Sequence, residues 1–241
     1  MAPGLAAFAG ENDSGYVFAP PATTSVEIQG VDARFPVRRI YCLGRNFRAH
    51  AFESGDDPDK TPPFFFMKPT DAIVADRGDF PYPSMSHQVG FEMELVVAVG
   101  GGGKDIARDT ALEHVYGYAV GLDMTRRDLQ AEAKELSRPW EGAKSFDHSA
   151  PCGPIHPAAD VGHPTKGRIW LSVNGEMKQD SDVSAMRWTV PEAIAVLSRY
   201  FELAPGDLIF AGTPAGVGLV QKGDVIRGGV DGIDSIEVRV L

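Results

Sequence analysis

Apolar and polar positions alternate over short stretches along most of this chain, and glycine or proline closes many of them. Arg38–Leu43 (RRIYCL) predicts a strand ending at Gly44. Residues 91–99 (FEMELVVAV) alternate at first and then run continuously apolar, which predicts a strand whose far end is deeply buried. Val115–Leu122 predicts another strand. Arg168–Val173 and Glu176–Gln179 flank Asn174-Gly175, the strongest short hairpin signal in the chain. Strand Leu208–Ala211 follows the turn Pro205-Gly206-Asp207, and two more short strands close the sequence. Helical character falls in Asn46–Ser54, with Asn46 as a candidate N-cap. It recurs in Thr125–Leu136, where Thr125 and Asp128 resemble a capping box and Leu129, Ala133 and Leu136 share a face. Thr189-x-x-Glu192 opens a further helix with Ile194, Leu197 and Phe201 on its apolar side.

Strands dominate and the helices lack a βαβ rhythm, so the fold class is α+β, β-rich, with mixed or antiparallel sheets. Residues 1–37 are small and Pro-bearing, with short β-like runs at Tyr16–Phe18 and Ser25–Gln29. They predict a flexible start and a small arm or cap, ahead of one main domain over 38–241. The polar stretch ESGDDPDK (53–60) is a loop and a candidate for mobility.

Charge narrows the function. Over 241 residues, 23 Lys and Arg face 33 Asp and Glu, a net charge of −10. That balance disfavours a nucleic-acid binder and adhesion to an anionic membrane. No run of about 18 apolar residues exists to span a bilayer. The opening residues lack a basic n-region, so the expected location is the cytoplasm. Cys42 and Cys152 make neither a disulfide framework nor a zinc spacing, and Cys42 reads as a small core hydrophobe. Gly100–Gly103 followed by Lys104 and Asp105 fails as a phosphate loop and reads as a tight turn. There is no G-x-S-x-G elbow and no dinucleotide fingerprint. His87, His114, His148, His156 and His163 share no metal-ligand spacing.

Three features carry chemistry. Glu92 and Glu94 lie two apart on a strand, hence on one face. In a buried strand, two unpaired carboxylates are very costly, and a divalent cation with hard oxygen ligands (Mg²⁺, Mn²⁺ or Ca²⁺) resolves the cost. The competing reading is an edge strand showing both to water. Asp123 ends the apolar strand YAVGLD and either completes a three-carboxylate set or caps the following helix. His50 and Glu53 stand i,i+3, where a carboxylate can make an imidazole a general base, or where the two form a plain surface pair. Lys144 sits among Trp140, Gly142, Ala143 and Phe146, an unusual setting for a solvated lysine.

Seven ordered stretches, RRIYCLGRNFRAHAFE, KPTDAIV, GFEMELVVAVG, YGYAVGLDMTRRDLQ, RPWEGAKSFD, WLSVNGE and PGDLIFAGTPAGVG, closely resemble the fumarylacetoacetate hydrolase family over about residues 36–240. They look most like its short bacterial fumarylpyruvate and acylpyruvate hydrolases. The resemblance implies layered mixed β-sheets, a homodimer and one Mg²⁺ or Mn²⁺ per site. It places the metal ligands on Glu92, Glu94 and Asp123, and the dyad of a lid on His50 and Glu53. Arg127, Gln130 and Thr213 become substrate-binding residues and Lys144 a catalytic lysine. Longer members carry a further ligating aspartate where this chain has Leu43, and many have His or Tyr where it has Phe91. The implied reaction is C–C hydrolysis of a 2,4-dioxo acid, an anionic oxo acid such as fumarylpyruvate, within gentisate breakdown. Oxaloacetate decarboxylation or keto–enol isomerisation at the same site is the alternative, and a non-catalytic oxo-acid binding protein a third reading.

Overall fold

The computed structural model describes residues 16, 18–53, 55, 62–75 and 78–241. Most of the expected mobile loop and the opening of the expected arm lie outside these residues. The architecture is a stack of sheets with few helices. A six-stranded mixed sheet carries, in order, His156–Pro157, Val115–Leu122, Met93–Val99, Asp207–Phe210, Arg39–Gly44 and Phe64–Lys68. A four-stranded antiparallel sheet carries Glu176–Asp182, Arg168–Val173, Val225–Val230 and Asp234–Arg239.

Strand Met93–Val99 is buried throughout because both its faces are covered. Leu95, Val97 and Val99 join one core cluster with Ile169, Leu171, Ile226 and Val238 of the four-stranded sheet. Val96 and Ala98 point the other way, into a second cluster with Cys42, Phe210 and the hairpin residues Val26, Ile28 and Phe35. The period of two along an apolar run thus feeds two cores at once. That hairpin, Ser25–Ile28 with Val31–Pro36, is tied on by the Gln29 N–H donating to Ile155 O at 2.9 Å.

The hairpin signal at Asn174-Gly175 is realised: both residues take positive φ, 52° and 85°, as a two-residue turn with the twist of its strands requires. The Thr189–Glu192 capping box is also present, at the start of helix Val190–Tyr200. Ile194 and Leu197 of that helix are buried. Three strands rather than two follow Phe210: Gly218–Val220, Val225–Val230 and Asp234–Arg239.

Four local expectations are corrected. The strand expected over 91–99 is two strands, Val89–Phe91 and Met93–Val99, with Glu92 between them. There the chain passes from a small three-stranded sheet, where Phe91 pairs with Gly218, to the six-stranded sheet, where Met93 pairs with Leu122. Thr125 and Asp128 do not form a capping box. The helix is Arg127–Glu135; Thr125 lies in a short strand and Asp128 accepts from Ser86 Oγ and the His87 N–H instead. This helix buries Gln130 and Ala133, while Leu136 is exposed, so its inner face is polar rather than the expected leucine stripe. Asn46 does not cap helix Arg48–Glu53: its amide donates to Trp188 O and Ala211 O and accepts from the Trp188 N–H.

Candidate active site

The candidate residues converge because strand ends converge. Glu92 precedes Met93–Val99, Asp123 follows Val115–Leu122, Thr213 follows Asp207–Phe210, and His50 follows Arg39–Gly44. The pairing of Met93 with Leu122 and of Phe210 with Val96 and Cys42 brings these ends to one edge of the sheet.

Glu92, Glu94 and Asp123 are 5%, 2% and 1% exposed, so neither a solvated edge strand nor a free helix cap describes them. One oxygen from each lies within 4.8 Å of the others. An all-carboxylate donor set at this spacing fits a hard divalent cation, with positions left for water or ligand. The charge on the three is partly balanced by cations. Lys144 Nζ stands 3.0 Å from Glu92 and 2.6 Å from Asp123, and Lys68 Nζ 2.8 Å from Asp123. The Arg127 guanidinium is 2.7 Å from Glu92. It can cross there because Gly90 has no side chain; a Cβ at Gly90 would lie 2.6 Å from Arg127 Nε.

The carboxylates are not equivalent. Burial alone would raise the pKa of Glu92, but Lys144, Arg127 and His50 outweigh it and hold that carboxyl well below the usual range. Glu94 is pushed well above it, first by burial and then by the charges of Asp123 and Glu92. The Gly212 N–H, donating to Glu94 at 2.7 Å, offsets only part of this. A buried carboxyl under this pressure either keeps a proton or receives a cation. Lys144 is desolvated, yet Asp123 and Glu92 raise its pKa and keep it charged.

Across the same pocket, His50 is buried on the short helix Arg48–Glu53, with Nδ1 3.1 Å from Glu53 Oε2. That contact occupies one ring nitrogen and leaves Nε2 for chemistry. The other Glu53 oxygen accepts from the Gly216 N–H at 3.3 Å, so the dyad leans on the glycine-rich loop that also carries Thr213. Arg127, Gln130 and Thr213 all line the pocket, and Arg127 Nη1 donates to Gln130 Oε1 at 3.2 Å. Eight of the nine candidate residues border one pocket, and the ninth, Glu53, reaches it through His50.

Two supporting residues were not singled out from sequence. Lys68 is wholly buried, pairs with Asp123, and donates to Ser149 Oγ at 3.0 Å and to Lys144 O. It ends the aromatic strand FFFMK and opens the stretch KPTDAIV, but neither marks it as buried against a carboxylate. Gln179, also buried, donates to Thr213 Oγ1 and Pro214 O, each at 2.8 Å, and accepts from the Met93 N–H at 3.0 Å. It fixes the Thr213 loop to the strand bearing Glu94 and leaves the Thr213 hydroxyl proton for a ligand. Nothing in its local sequence marks it.

The structure is a β-rich sheet stack in which a buried, all-carboxylate donor set that fits a divalent cation shares one pocket with an imidazole–carboxylate pair. The chain belongs to the fumarylacetoacetate hydrolase family: residues 39–241 match the model described as Fumarylacetoacetate (FAA) hydrolase C-terminal. It is 45% identical to the fumarylpyruvate hydrolase of Ralstonia sp over 177 residues, 73% of this chain and 92% of that one. It is 37% identical to the mitochondrial oxaloacetate tautomerase FAHD1 of Rattus norvegicus over 203 residues, 84% of this chain and 91% of that one. The crystal structure of fumarylpyruvate hydrolase from Pseudomonas aeruginosa in complex with Mn²⁺ and pyruvate superposes with a TM-score of 0.91 at 52% identity, covering 94% of this chain and 99% of that one. Among the described residues, no helix is long and apolar enough to cross a membrane.

Proposed function

We propose that this protein is a divalent-metal-dependent hydrolase that cleaves the C–C bond of a 2,4-dioxo acid, fumarylpyruvate to fumarate and pyruvate. The observation that carries the reading is the buried Glu92–Glu94–Asp123 cluster sharing one pocket with the His50–Glu53 pair. Glu92, Glu94 and Asp123 would hold Mg²⁺ or Mn²⁺, which would supply Lewis-acid polarisation of the 2-oxo acid. Arg127, Gln130 and Thr213 orient the substrate carboxylate from the pocket wall. His50, held by Glu53 in the tautomer that leaves Nε2 basic, takes a proton from the attacking water. Lys144, kept charged between Asp123 and Glu92, stands where negative charge develops as the bond breaks. The likeness to fumarylpyruvate hydrolases supports this substrate, and a place in gentisate breakdown is part of the proposal. We further propose a homodimer working in the cytoplasm, in keeping with two buried free cysteines.

The relationship to an oxaloacetate tautomerase supports a second reading, enolisation of oxaloacetate at the same site, which needs no attacking water. Glu53→Gln separates the two. It keeps size and hydrogen bonding but removes the charge behind His50. Fumarylpyruvate hydrolysis should fall about 10²–10⁴-fold, while Mn²⁺ affinity by calorimetry stays near wild type and enolisation of oxaloacetate loses less. Near-normal hydrolysis removes Glu53 from the mechanism. A wild-type protein that tautomerises oxaloacetate and leaves fumarylpyruvate intact overturns the hydrolase reading.

A further inference from the structure

We propose that Lys134, stacked on Trp140 beside Arg45, is the receptor for a second, distal carboxylate, so that the pocket selects dicarboxylic over neutral acylpyruvates. The inference rests on the hydrolase reading for the identity of its substrate, and on the pocket alone for the chemistry recognised.

Arg127, Gln130 and Lys134 stand i, i+3 and i+7 on helix Arg127–Glu135, hence on one face, and all three line the pocket. Arg127 is the inner end of this ladder, bound to Glu92 at the carboxylate cluster. With a rise of about 1.5 Å per residue, Lys134 lies roughly 10 Å further along the axis. Carbon–carbon bonds of about 1.5 Å put the two carboxylates of an extended seven-carbon diacid roughly 8 Å apart. A substrate anchored beside Arg127 therefore reaches the neighbourhood of Lys134, the flexible lysine stem closing the difference.

The outer end is built from cations on aromatic rings. Lys134 Nζ is 5.5 Å from the centroid of Trp140, and Arg45 Cζ is 5.9 Å from that ring and 5.8 Å from Phe64. A ring face holds a cation in place without neutralising it, which leaves the charge of Lys134 for a ligand. The inner end spends its charges on itself. Glu92 and Asp123 pair with Arg127, Lys144 and Lys68, while Glu94 accepts from the Gly212 N–H. Lys134 makes no ion pair among the described residues, so its charge is surplus to the site, and a divalent cation adds to that surplus. Burial first, and then the nearby charges of Arg45 and Arg127, lower the pKa of Lys134. An anion between these cations relieves that repulsion, whereas a methyl group in its place does not. The rim thus reads the far end of the acyl group while the carboxylate cluster reads the near end.

Two oxo acids that lack a 4-oxo group and so cannot be hydrolysed test this: 2-oxoheptanedioate and 2-oxoheptanoate, differing only in the distal carboxylate. Calorimetry on the Mn²⁺-loaded wild type should give at least about tenfold tighter binding of the diacid. Lys134→Met keeps the stem over Trp140 but drops the charge, and should cut that ratio to about threefold or less. Lys134→Arg should retain most of it. A wild-type ratio near one, no binding of either acid, or an undiminished ratio in Lys134→Met overturns the proposal, as does equal loss in Lys134→Met and Lys134→Arg. A wild type that prefers the diacid, with Lys134 responsible, yet leaves fumarylpyruvate uncleaved would end the hydrolase reading and leave the carboxylate receptor standing.

Discussion

In the proposed ligand set, Glu94 trades stability for binding. Its carboxyl is buried beside two others and receives one backbone N–H. Glu94→Gln removes the repulsion and keeps an acceptor for Gly212. In EDTA this variant should melt at or above the wild-type temperature. Its Mn²⁺ affinity should fall by more than the roughly 10–100-fold typical of losing an outer-shell partner. Calorimetry and thermal melts on the same sample check both halves, and wild-type Mn²⁺ affinity would remove Glu94 from the ligand set. Lys68 is the converse case. Its ammonium is wholly buried against Asp123, so Lys68→Met strands part of a buried charge. Lys144 still pairs with the other Asp123 oxygen, which puts the loss at about 3 kcal/mol, the low end for a broken buried pair. Urea unfolding measures it.

At the level of elements, the site depends on a loop more than on a helix. The helix bearing His50 has only six residues and does not persist by itself. Its Glu53 leans on the Gly216 N–H, and Gly216 holds φ at 92°, where a Cβ would lie 2.1 Å from Lys178 O. Gly216→Ala must therefore shift the loop, at a cost of about 1–3 kcal/mol from the backbone conformation alone. Because Thr213 and the Glu53 contact ride on this loop, kcat for hydrolysis should fall. Mn²⁺ affinity should stay near wild type, since Glu92, Glu94 and Asp123 come from other segments. Parallel loss of metal affinity would mean the loop supports the cation site as well.

Across the whole molecule, a bound cation would join the two sheets that meet at Glu92 to the end of strand Val115–Leu122. It should therefore act as a stabilising ligand, by about 2.7 kcal/mol at a hundredfold excess over Kd. The pH dependence follows from the two glutamates. An unfolded glutamate titrates near about pH 4.3. Glu92, lowered in the fold, contributes stability present above that pH and lost as the pH falls through its folded pKa. Glu94, raised in the fold, contributes stability present below about pH 4.3 and lost as the pH climbs through its folded pKa. Cation binding by the proposed ligand set requires Glu94 ionised, so the rise in Tm on adding Mn²⁺ should grow with pH over that upper window. Melts with EDTA and with Mn²⁺ across a pH series test this, and a gain independent of pH would place no proton on Glu94.

Much of this was legible in the sequence by itself. The apolar run ending in LVVAV determined a strand covered on both faces, because no strand with one wet face tolerates it. Asn174-Gly175 determined its hairpin, and Thr189 with Glu192 its helix start, since both signals act within a few residues. Glu92, Glu94, Asp123 and Lys144 stood out because carboxylates and a lysine amid apolar neighbours are costly unless they have a task, and His50 by its i,i+3 spacing to Glu53, while their roles came from the family resemblance. Other features only the tertiary structure decided. Thr125 and Asp128 have capping spacing, but Glu92 and Ser86, distant in sequence, claim their side chains. Asn46 is drawn to Trp188 and Ala211 in the same way. The break at Glu92, the buried charge of Lys68, the brace of Gln179 and the cation-bearing rim at Trp140 all arise where segments far apart in the chain meet. Local propensity is worth tenths of a kcal/mol to about one per residue, whereas a buried polar group left without its partner costs more, so long-range partners take precedence.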